Sequence, residues 1–417
     1  MLPFESPYME LSAKMSIWLN GDLNSKLVRQ RNQEQVFSIL RANDALPVSE
    51  LSFRTRLSLS TVKTVLSDLE EMGLVVVKEQ GASTGGRRPA LYAVNRTAAF
   101  VGGVSVGYRY LKCGLFNVDG SLIKMARVPI EDLKPEIVAE VISKTLVDLI
   151  EKNGLAKEKV AGVGVSQPGS VDFAGKAILS TPQETLKGTT LWEKLTEALQ
   201  CHVFLMEDIN AHIAAEFELG EAKGYEHWIY LLLGSSESKW GIGLEAVNKG
   251  LWIRGERGLA GEAAHMVIRV GGVECPCGRR GCWEAETDPE KLFKNVLEKN
   301  GLTVESLEEL FLLIDDRRDE KDTQFDAAYN TFIALLGEGI ANIIHIFNPE
   351  KIFIGGEVVT LGEKFLEELK IKTMSCCLPP YWKNDILELT HIIEDGDVLG
   401  AASWVIGHLV FLNFKAY

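Results

Sequence analysis

The stretch Glu262 to Glu286 reads EAAHMVIRVGGVECPCGRRGCWEAE and places His265, Cys275, Cys277 and Cys282 within eighteen residues. The spacing His-x9-Cys-x-Cys-x4-Cys offers four soft or borderline ligands to one ion and suits a tetrahedral Cys3His zinc site. Gly271, Gly272, Gly278 and Gly281 let the backbone turn tightly round that ion, and Pro276 stiffens the Cys-x-Cys step. A disulfide is the competing reading, but Cys275 and Cys277 are too close to pair comfortably. With four protein ligands the site is closed, so the zinc expected here is structural rather than catalytic. Glu262, Glu284 and Glu286 flank the ligands. Carboxylates held by a pinned loop suit the hydroxyl groups of a polyol or sugar.

A chain of 417 residues, 46% of them hydrophobic, is long enough for two or three packed domains. Its net charge of −14 excludes a chain that binds nucleic acid along its whole length. The charge is unevenly spread, however. Residues 24–95 carry ten Lys/Arg against seven Asp/Glu, a net of +3, which leaves −17 on the remainder. A basic N-terminal module on an acidic body is the layout of a DNA-binding head on an effector domain. The first 23 residues lack a basic start and an apolar run, so no secretory signal is expected. No stretch is read as the roughly 18 apolar residues that span a bilayer; the longest candidate is near Ala401–Phe414. The other four cysteines, Cys113, Cys201, Cys376 and Cys377, show no framework spacing, which points to a reducing, cytoplasmic compartment with no membrane partner.

Residues 1–23 are expected to be poorly ordered or a late-packing arm. From Asn24, Leu27, Val28, Gln35, Val36, Ile39 and Leu40 recur at helical spacing. Pro47 and Ser49 open a second, short helix. Ser58 or Ser60 caps a third helix whose inner face is Val62, Val65, Leu66, Leu69 and Met72, with Gly73 as its stop. Two helices joined by a short turn form a helix-turn-helix, with Ser60, Thr61, Lys63 and Thr64 facing outward near the end that enters the major groove. Leu74–Lys78 and Ala90–Val94 read as a strand pair, and the EQGASTGGRRP between them as a basic wing tip. Arg87 and Arg88 follow a glycine pair and suit insertion into a narrow minor groove.

After Asn95 the pattern becomes α/β. Phe100–Val106 and Leu111–Val118 are expected as paired strands with Asp119-Gly120 at a turn, and Glu136–Lys152 as an amphipathic helix. Val160–Val165, Val203–Met206, Ile229–Leu233 and Lys351–Ile354 are further strands. The segment GSSESKWGIGLEAVNKG after Leu233 reads as a glycine-rich loop, and a closing helix starts at Leu399. Asp208 stands where a parallel strand runs into a helix, the position at which α/β folds place ligand chemistry. A plain helix-capping role is its alternative.

Taken together, STGGRRP (83–89), GVGVSQPG (162–169), EDIN (207–210), GLAGEAAH (258–265), CPCGRRGCWEAE (275–286), NPEKIFIGG (348–356) and LGAA (399–402) resemble the ROK family of repressors, open reading frames and kinases. The resemblance covers residues 24–417. It implies an α/β fold class: an N-terminal winged helix-turn-helix (24–96), then an actin-like, hexokinase-like domain of two lobes round a cleft. The first lobe is 97–211, closed by a C-terminal helix at 396–417, and the second is 212–395 with the zinc motif. It further implies that Asp208 matches the catalytic base of the sugar kinases. Glu262, His265 and Glu284 match residues holding sugar hydroxyls, with Gly169 and Ser170 in the loop beside the sugar. Glu207 stands where asparagine is usual, and Ala264 where glycine is usual. His265 is expected to serve zinc through one ring nitrogen and ligand through the other.

The kinases of the family open their first lobe with Asp-x-Gly-x-Thr, whose aspartate positions magnesium. Here the string is Ser105-Val106-Gly107-Tyr108-Arg109. Their second phosphate loop, Gly-x-Gly-Ala-Gly, is here Gly241-Ile242-Gly243-Leu244-Glu245. A carboxylate brought about 4 Å from a phosphate repels it by about 4 kcal/mol at an effective dielectric constant near 20. The expectation is a regulator, in the manner of a repressor, that binds operator DNA and a sugar or sugar phosphate without phosphorylating it. A homodimer or dimer of dimers is expected, because operators with two half-sites mirror two-fold symmetry. An ATP-dependent sugar kinase with an attached DNA-binding head is the alternative.

Overall fold

The computed structural model of the chain describes residues 25–78, 90–172, 175–181, 183–235, 239–249, 251–253, 255–256, 259–317, 323–392 and 395–409. Two compact units emerge: one runs to Leu219 and resumes at Gly396, the other is Gly220–Asp395.

The first unit begins with three helices, α1 (Ser25–Arg41), α2 (Val48–Thr55) and α3 (Leu59–Glu71). Val36, Phe37 and Leu40 of α1 pack with Leu51 of α2 and with Val62, Val65, Leu66 and Leu69 of α3. Val28 departs from the expected inner stripe and is exposed. Arg56, in the left-handed region at φ 57°, turns the chain sharply between α2 and α3. Ser58 then caps α3 by accepting the Thr61 N–H at 3.1 Å. Gly73, at φ 75°, ends that helix and releases the chain into a strand. Strand β2 (Val75–Lys78) pairs antiparallel with β3 (Leu91–Val94), and a short β1 (Leu46–Pro47), not anticipated from sequence, pairs with the other edge of β3. This is the three-helix, three-strand plan of a winged helix-turn-helix. The hairpin tip at 79–89, including Arg87 and Arg88, lies outside the described residues.

The body of this unit is a five-stranded sheet in the order β10-β7-β4-β5-β6. Its strands are β4 (Phe100–Val106), β5 (Tyr110–Asn117), β6 (Leu122–Pro129), β7 (Val160–Gln167) and β10 (His202–Glu207). A small hairpin, β8 (Ser170–Val171) with β9 (Ile178–Ser180), follows β7. Strands β4, β7 and β10 run parallel, whereas β4, β5 and β6 form an antiparallel meander. One face is covered by α4 (Pro135–Lys152) and α5 (Thr190–Leu199), whose leucines meet Val104, Val163, Val165, Val203 and Leu205. Two helices lie over the other face. One is α6 (Asp208–Leu219); the other, from the far end of the chain, is designated αC (Gly396–Gly407). Missing side chains let αC lie against the strands: a Cβ on Gly103 would stand 2.1 Å from the Val398 carbonyl, and one on Gly164 2.1 Å from that of Ala401. Gly400 does the same for the helix pair, since a Cβ there would meet the Ala211 carbonyl at 1.7 Å. The expected break at residue 211 therefore falls inside α6, which stays whole in this unit as far as Leu219.

The core under αC is not confined to the body. Buried side chains form one uninterrupted cluster from Val36, Leu66 and Leu74 of the head through Ala98, Val101 and Phe116 to Ala211, Val398, Val405 and Leu409. Two ion pairs reinforce this join. Arg41, at the end of α1, reaches Glu218 of α6 at 3.0 Å with its side chain only 4% exposed, and Arg96 reaches Asp119 at 2.7 Å.

The second unit repeats the same sheet plan, in the order β13-β12-β11-β14-β15. Its strands are β11 (His227–Ser235), β12 (Lys239–Asn248), β13 (Leu251–Trp252), β14 (Lys351–Gly355) and β15 (Leu387–Leu389). An antiparallel meander, β11-β12-β13, is again extended by parallel strands. The segment expected as a glycine-rich loop is thus largely β12. Ile242, Leu244 and Ala246 fill the core at every second position, and the glycines between them masked that alternation. The helices are a four-residue α7 (Trp283–Glu286), then α8 (Pro289–Lys299), α9 (Leu307–Arg317), α10 (Thr323–Phe347) and α11 (Gly362–Cys376). By length and composition alone α10 is apolar enough to cross a membrane, contrary to the expectation that no segment would be. Its Phe325, Phe332, Leu336, Ile340 and Ile344 instead fill the core of this unit.

Candidate functional site

In the second unit, the loop after β13 folds back on itself to bring His265, Cys275, Cys277 and Cys282 together, their ligand atoms all within 4.8 Å of one another. The fold-back rests on backbone pairing: Cys275 N–H to the Arg279 carbonyl at 2.8 Å, and bridges Val267–Cys282 and Glu274–Arg280. Gly281, at φ 78°, is required in a strict sense, because a Cβ would stand 1.7 Å from the Arg269 carbonyl. Cys277 Sγ and Cys282 Sγ are 3.7 Å apart, as are His265 Nδ1 and Cys275 Sγ. A disulfide needs about 2.05 Å, so the cysteines are not bonded to each other. The four donors form a group that can hold a metal ion.

His265 turns Nδ1 to this group and its other nitrogen, Nε2, towards Glu262 at 3.9 Å. Glu284 stands on α7, directly after the last cysteine, and accepts the Ile242 N–H of β12 at 3.1 Å. Burial pushes its carboxyl above the ordinary range, against the pull of that hydrogen bond and of His265. Glu262, His265 and Glu284 therefore form one electrostatic group. Glu286 does not join them. It is buried, accepts the Val273 N–H at 2.5 Å and pairs with Arg269 at 3.1 Å, and so braces the metal loop instead of offering a carboxylate to a ligand. Trp283 pins α7 from beneath through its indole N–H to the Leu335 carbonyl at 3.0 Å. Gly241 to Glu245, expected in a loop, lie on β12, with Glu245 buried opposite Tyr230. A second possible metal group, Glu221, Glu388 and His391, already has the Lys351 ammonium 2.9 Å from Glu388.

In the first unit, the C-terminal ends of β7 and β10 carry Gly169, Ser170, Glu207 and Asp208. Gly169, at φ 98°, accepts at its carbonyl the Gln167 side-chain amide N–H at 3.2 Å. Glu207 accepts the Val171 N–H at 3.1 Å and clamps this loop to the strand. Asp208 opens α6 and accepts the N–H of the next residue, Ile209, at 2.8 Å, which is not the reach to N2 or N3 of a helix cap. Its surroundings push its carboxyl to about 6, through burial first and the nearby Asp397 second. Tyr108 is pushed to about 12 by burial and the Asp208 charge. Asp397, in the first turn of αC, was not singled out from sequence. Burial opposes its ionisation, yet Lys112, His212 and the Ser105 hydroxyl hold it below the usual carboxylate range.

On the head, Ser60, Lys63 and Thr64 are exposed and Thr61 is half-buried. The Ser58 hydroxyl lies 2.8 Å from those of both Ser60 and Thr61, and Thr64 donates to the Ser60 carbonyl at 3.1 Å. Lys63 is thus the charged member of this face. Arg56, exposed beside the turn, adds positive charge, whereas the nearby Arg54 is paired with Glu50 at 2.7 Å.

The xylose repressor of Bacillus spizizenii is 27% identical over 383 residues, which are 92% of this chain and 97% of the repressor. The xylose repressor of Caldicellulosiruptor bescii is 27% identical across 94% of this chain and 99% of its own. The glucokinase of Thermotoga maritima is 28% identical but covers 72% of this chain and 95% of itself. Among solved structures, a ROK family transcriptional regulator described as a homologue of the E. coli MLC protein superposes with a TM-score of 0.77. It is 20% identical and covers 93% of this chain and 98% of its own. A ROK hexokinase from Thermus thermophilus gives 0.59 at 26% identity, covering 73% of this chain and 96% of its own. The sequence profile of the ROK family itself matches residues 101–408, which takes in both sheets and the Cys3His loop; the chain belongs to the ROK family.

Proposed function

We propose that this protein is a sugar-responsive transcriptional repressor that binds operator DNA through its winged helix and a sugar or sugar phosphate through its ROK domain. One observation carries the reading: the xylose repressors align over more than nine-tenths of the chain, head included, whereas the glucokinase aligns over 72% of it. Gly169, Ser170, Glu207 and Asp208 in the first unit, and separately Glu262, His265 and Glu284 in the second, are candidate sugar contacts. Operator contacts are assigned to Ser60, Thr61, Lys63, Thr64, Arg87 and Arg88. The metal is assigned as one structural zinc. Four ligands at about 2.0–2.3 Å in a tetrahedron stand close to 3.7 Å apart, which is the spacing of the sulfur pair. The protein works in the cytoplasm as a homodimer or dimer of dimers, and ligand acts by favouring one of two states that differ in operator affinity.

Phosphorylation is not part of this reading. Ser105 occupies the position at which the kinases need a metal-binding acid, and Glu245 puts a buried carboxylate into the strand that carries their second phosphate motif. The deciding experiment is operator release measured by fluorescence anisotropy with xylose, glucose, N-acetylglucosamine and their phosphates, alongside ATP turnover with the same sugars. Release by one sugar without turnover is expected. Turnover that Asp208→Ala abolishes would replace the repressor reading with the kinase alternative. Loss of a phosphate contact in Lys63→Ala should lower the slope of log K against log salt by about 1.

A further inference from the structure

We propose that Lys112 is a resident cation for the buried Asp397 carboxylate, so that the first unit keeps this acid ionised beside Asp208 without a divalent metal. Sheet register supplies the first observation. Lys112 on β5 lies directly opposite Ser105 on β4, and Ser105 lies opposite Ser166 on β7. The three positions form a row across the side of the sheet that faces αC. Above this row stands Asp397, 1% exposed, with the Lys112 Nζ 3.9 Å from its Oδ1. The Ser105 hydroxyl also hydrogen-bonds to Asp397, and His212 of α6 interacts with the same carboxylate. Asp208 opens α6, which packs on αC through Gly400 and Ala211, and the charge of Asp397 raises its carboxyl.

Two carboxylates in a poorly solvated place need a cation or must take up protons. In the resemblance noted from sequence, a third acid in place of Ser105 positions magnesium. Here that acid is a hydroxyl, and the residue across from it is an ammonium on a four-carbon stem. The donor set no longer fits a divalent ion: one carboxylate has been removed, and a fixed positive charge stands beside another. Losing the acid alone would leave the remaining pair without a counter-charge. The serine and the lysine are therefore complementary, and they act on the same carboxylate.

The metal part of this inference does not depend on the repressor reading; only its consequence, effector binding without a metal, rests on that reading. The test uses Mn2+ as probe, followed by electron paramagnetic resonance on the full-length zinc-loaded protein. The unaltered protein is expected to show no Mn2+ site that Asp397→Asn removes. The double variant Ser105→Asp/Lys112→Ala is expected to gain one, and a further Asp397→Asn to abolish it. An Asp397-dependent Mn2+ site in the unaltered protein would overturn the proposal, as would a folded double variant that gains none. Should the double variant fail to fold, Lys112→Met decides. Without the ammonium, Asp397 keeps His212, the Ser105 hydroxyl and the Val398 N–H but no fixed positive charge, so its ionisation costs more and stability relative to the unaltered protein should fall as pH rises from 4 to 8. A parallel pH profile would overturn the proposal. Operator release measured separately with and without EDTA-treated sugar then reports on the repressor reading.

Discussion

Replacing Arg41 by methionine tests how the head is joined to the body. The guanidinium is 3.0 Å from Glu218, and the two side chains are 4% and 16% exposed. Burial lowers the Arg41 pKa, while Glu218 and Asp119 pull it back. Removing one partner of a buried pair costs about 3–5 kcal/mol, mostly because the other charge is left unpaired. Glu218 retains some access to water and Asp119 keeps Arg96 at 2.7 Å, so a cost at or just below the bottom of that range, about 2–3 kcal/mol, is expected for Arg41→Met. Glu218→Gln leaves the more deeply buried charge without its nearer partner; an amide can still accept from the guanidinium, so the cost should be similar, about 2–3 kcal/mol. The double variant leaves no unpaired charge, and its loss should be about 2 kcal/mol smaller than the sum of the single losses. Urea unfolding of the four proteins gives this coupling directly. A coupling below about 0.5 kcal/mol, the scatter of independent sites, would show that the pair does not tie α1 to α6.

Gly400→Ala forces a methyl group onto the Ala211 carbonyl, and overpacking of this kind costs about 1–3 kcal/mol; thermal unfolding should show it, and an unchanged melting temperature would mean that α6 and αC are not in contact as described. If the Cys3His group holds the proposed zinc, Cys277→Ser should lower its metal content and cost about 2–5 kcal/mol, comparable to losing a native cross-link, with Cys376→Ser as a silent control, read by metal analysis and melting temperature. Asp208 has a folded pKa of about 6, above its ordinary value, so the folded state binds the extra proton and stability falls as pH rises from about 4 to 6. Asp208→Asn should therefore flatten that part of the stability profile and stabilise the protein at pH 7 by about 1–2 kcal/mol, discounted for the partly open surface of the group, while weakening effector binding. A variant with the original pH profile would refute the assignment of that slope to Asp208.

The parts of the site visible in sequence are those whose chemistry is local. His265 and the three cysteines lie within eighteen residues, and their glycines announce the turns. The head was equally legible, because Ser58, the Val62–Leu69 stripe and Gly73 follow the rules for starting, burying and ending a helix. Strand β12 was obscured because Gly241 and Gly243 occupy alternate positions and read as loop residues. Lys112 and Asp397 could not have been paired from sequence, since their meeting depends on the register of β4 with β5 and on αC returning to the first sheet. Glu286 looked like its neighbour Glu284, but one helical step separates a buried brace from a carboxylate beside His265.

The uninterrupted cluster from Val36 to Leu409 sets a rule for anyone building chimaeras with this protein. A cut near Asn95 would strip Ala98, Ala99, Val101 and Phe116 of their neighbours and open an oily wound on both pieces. New operator specificity is better introduced by resurfacing α3 in place, or by transplanting the head together with αC, than by grafting at Asn95, where the sequence pattern changes to α/β.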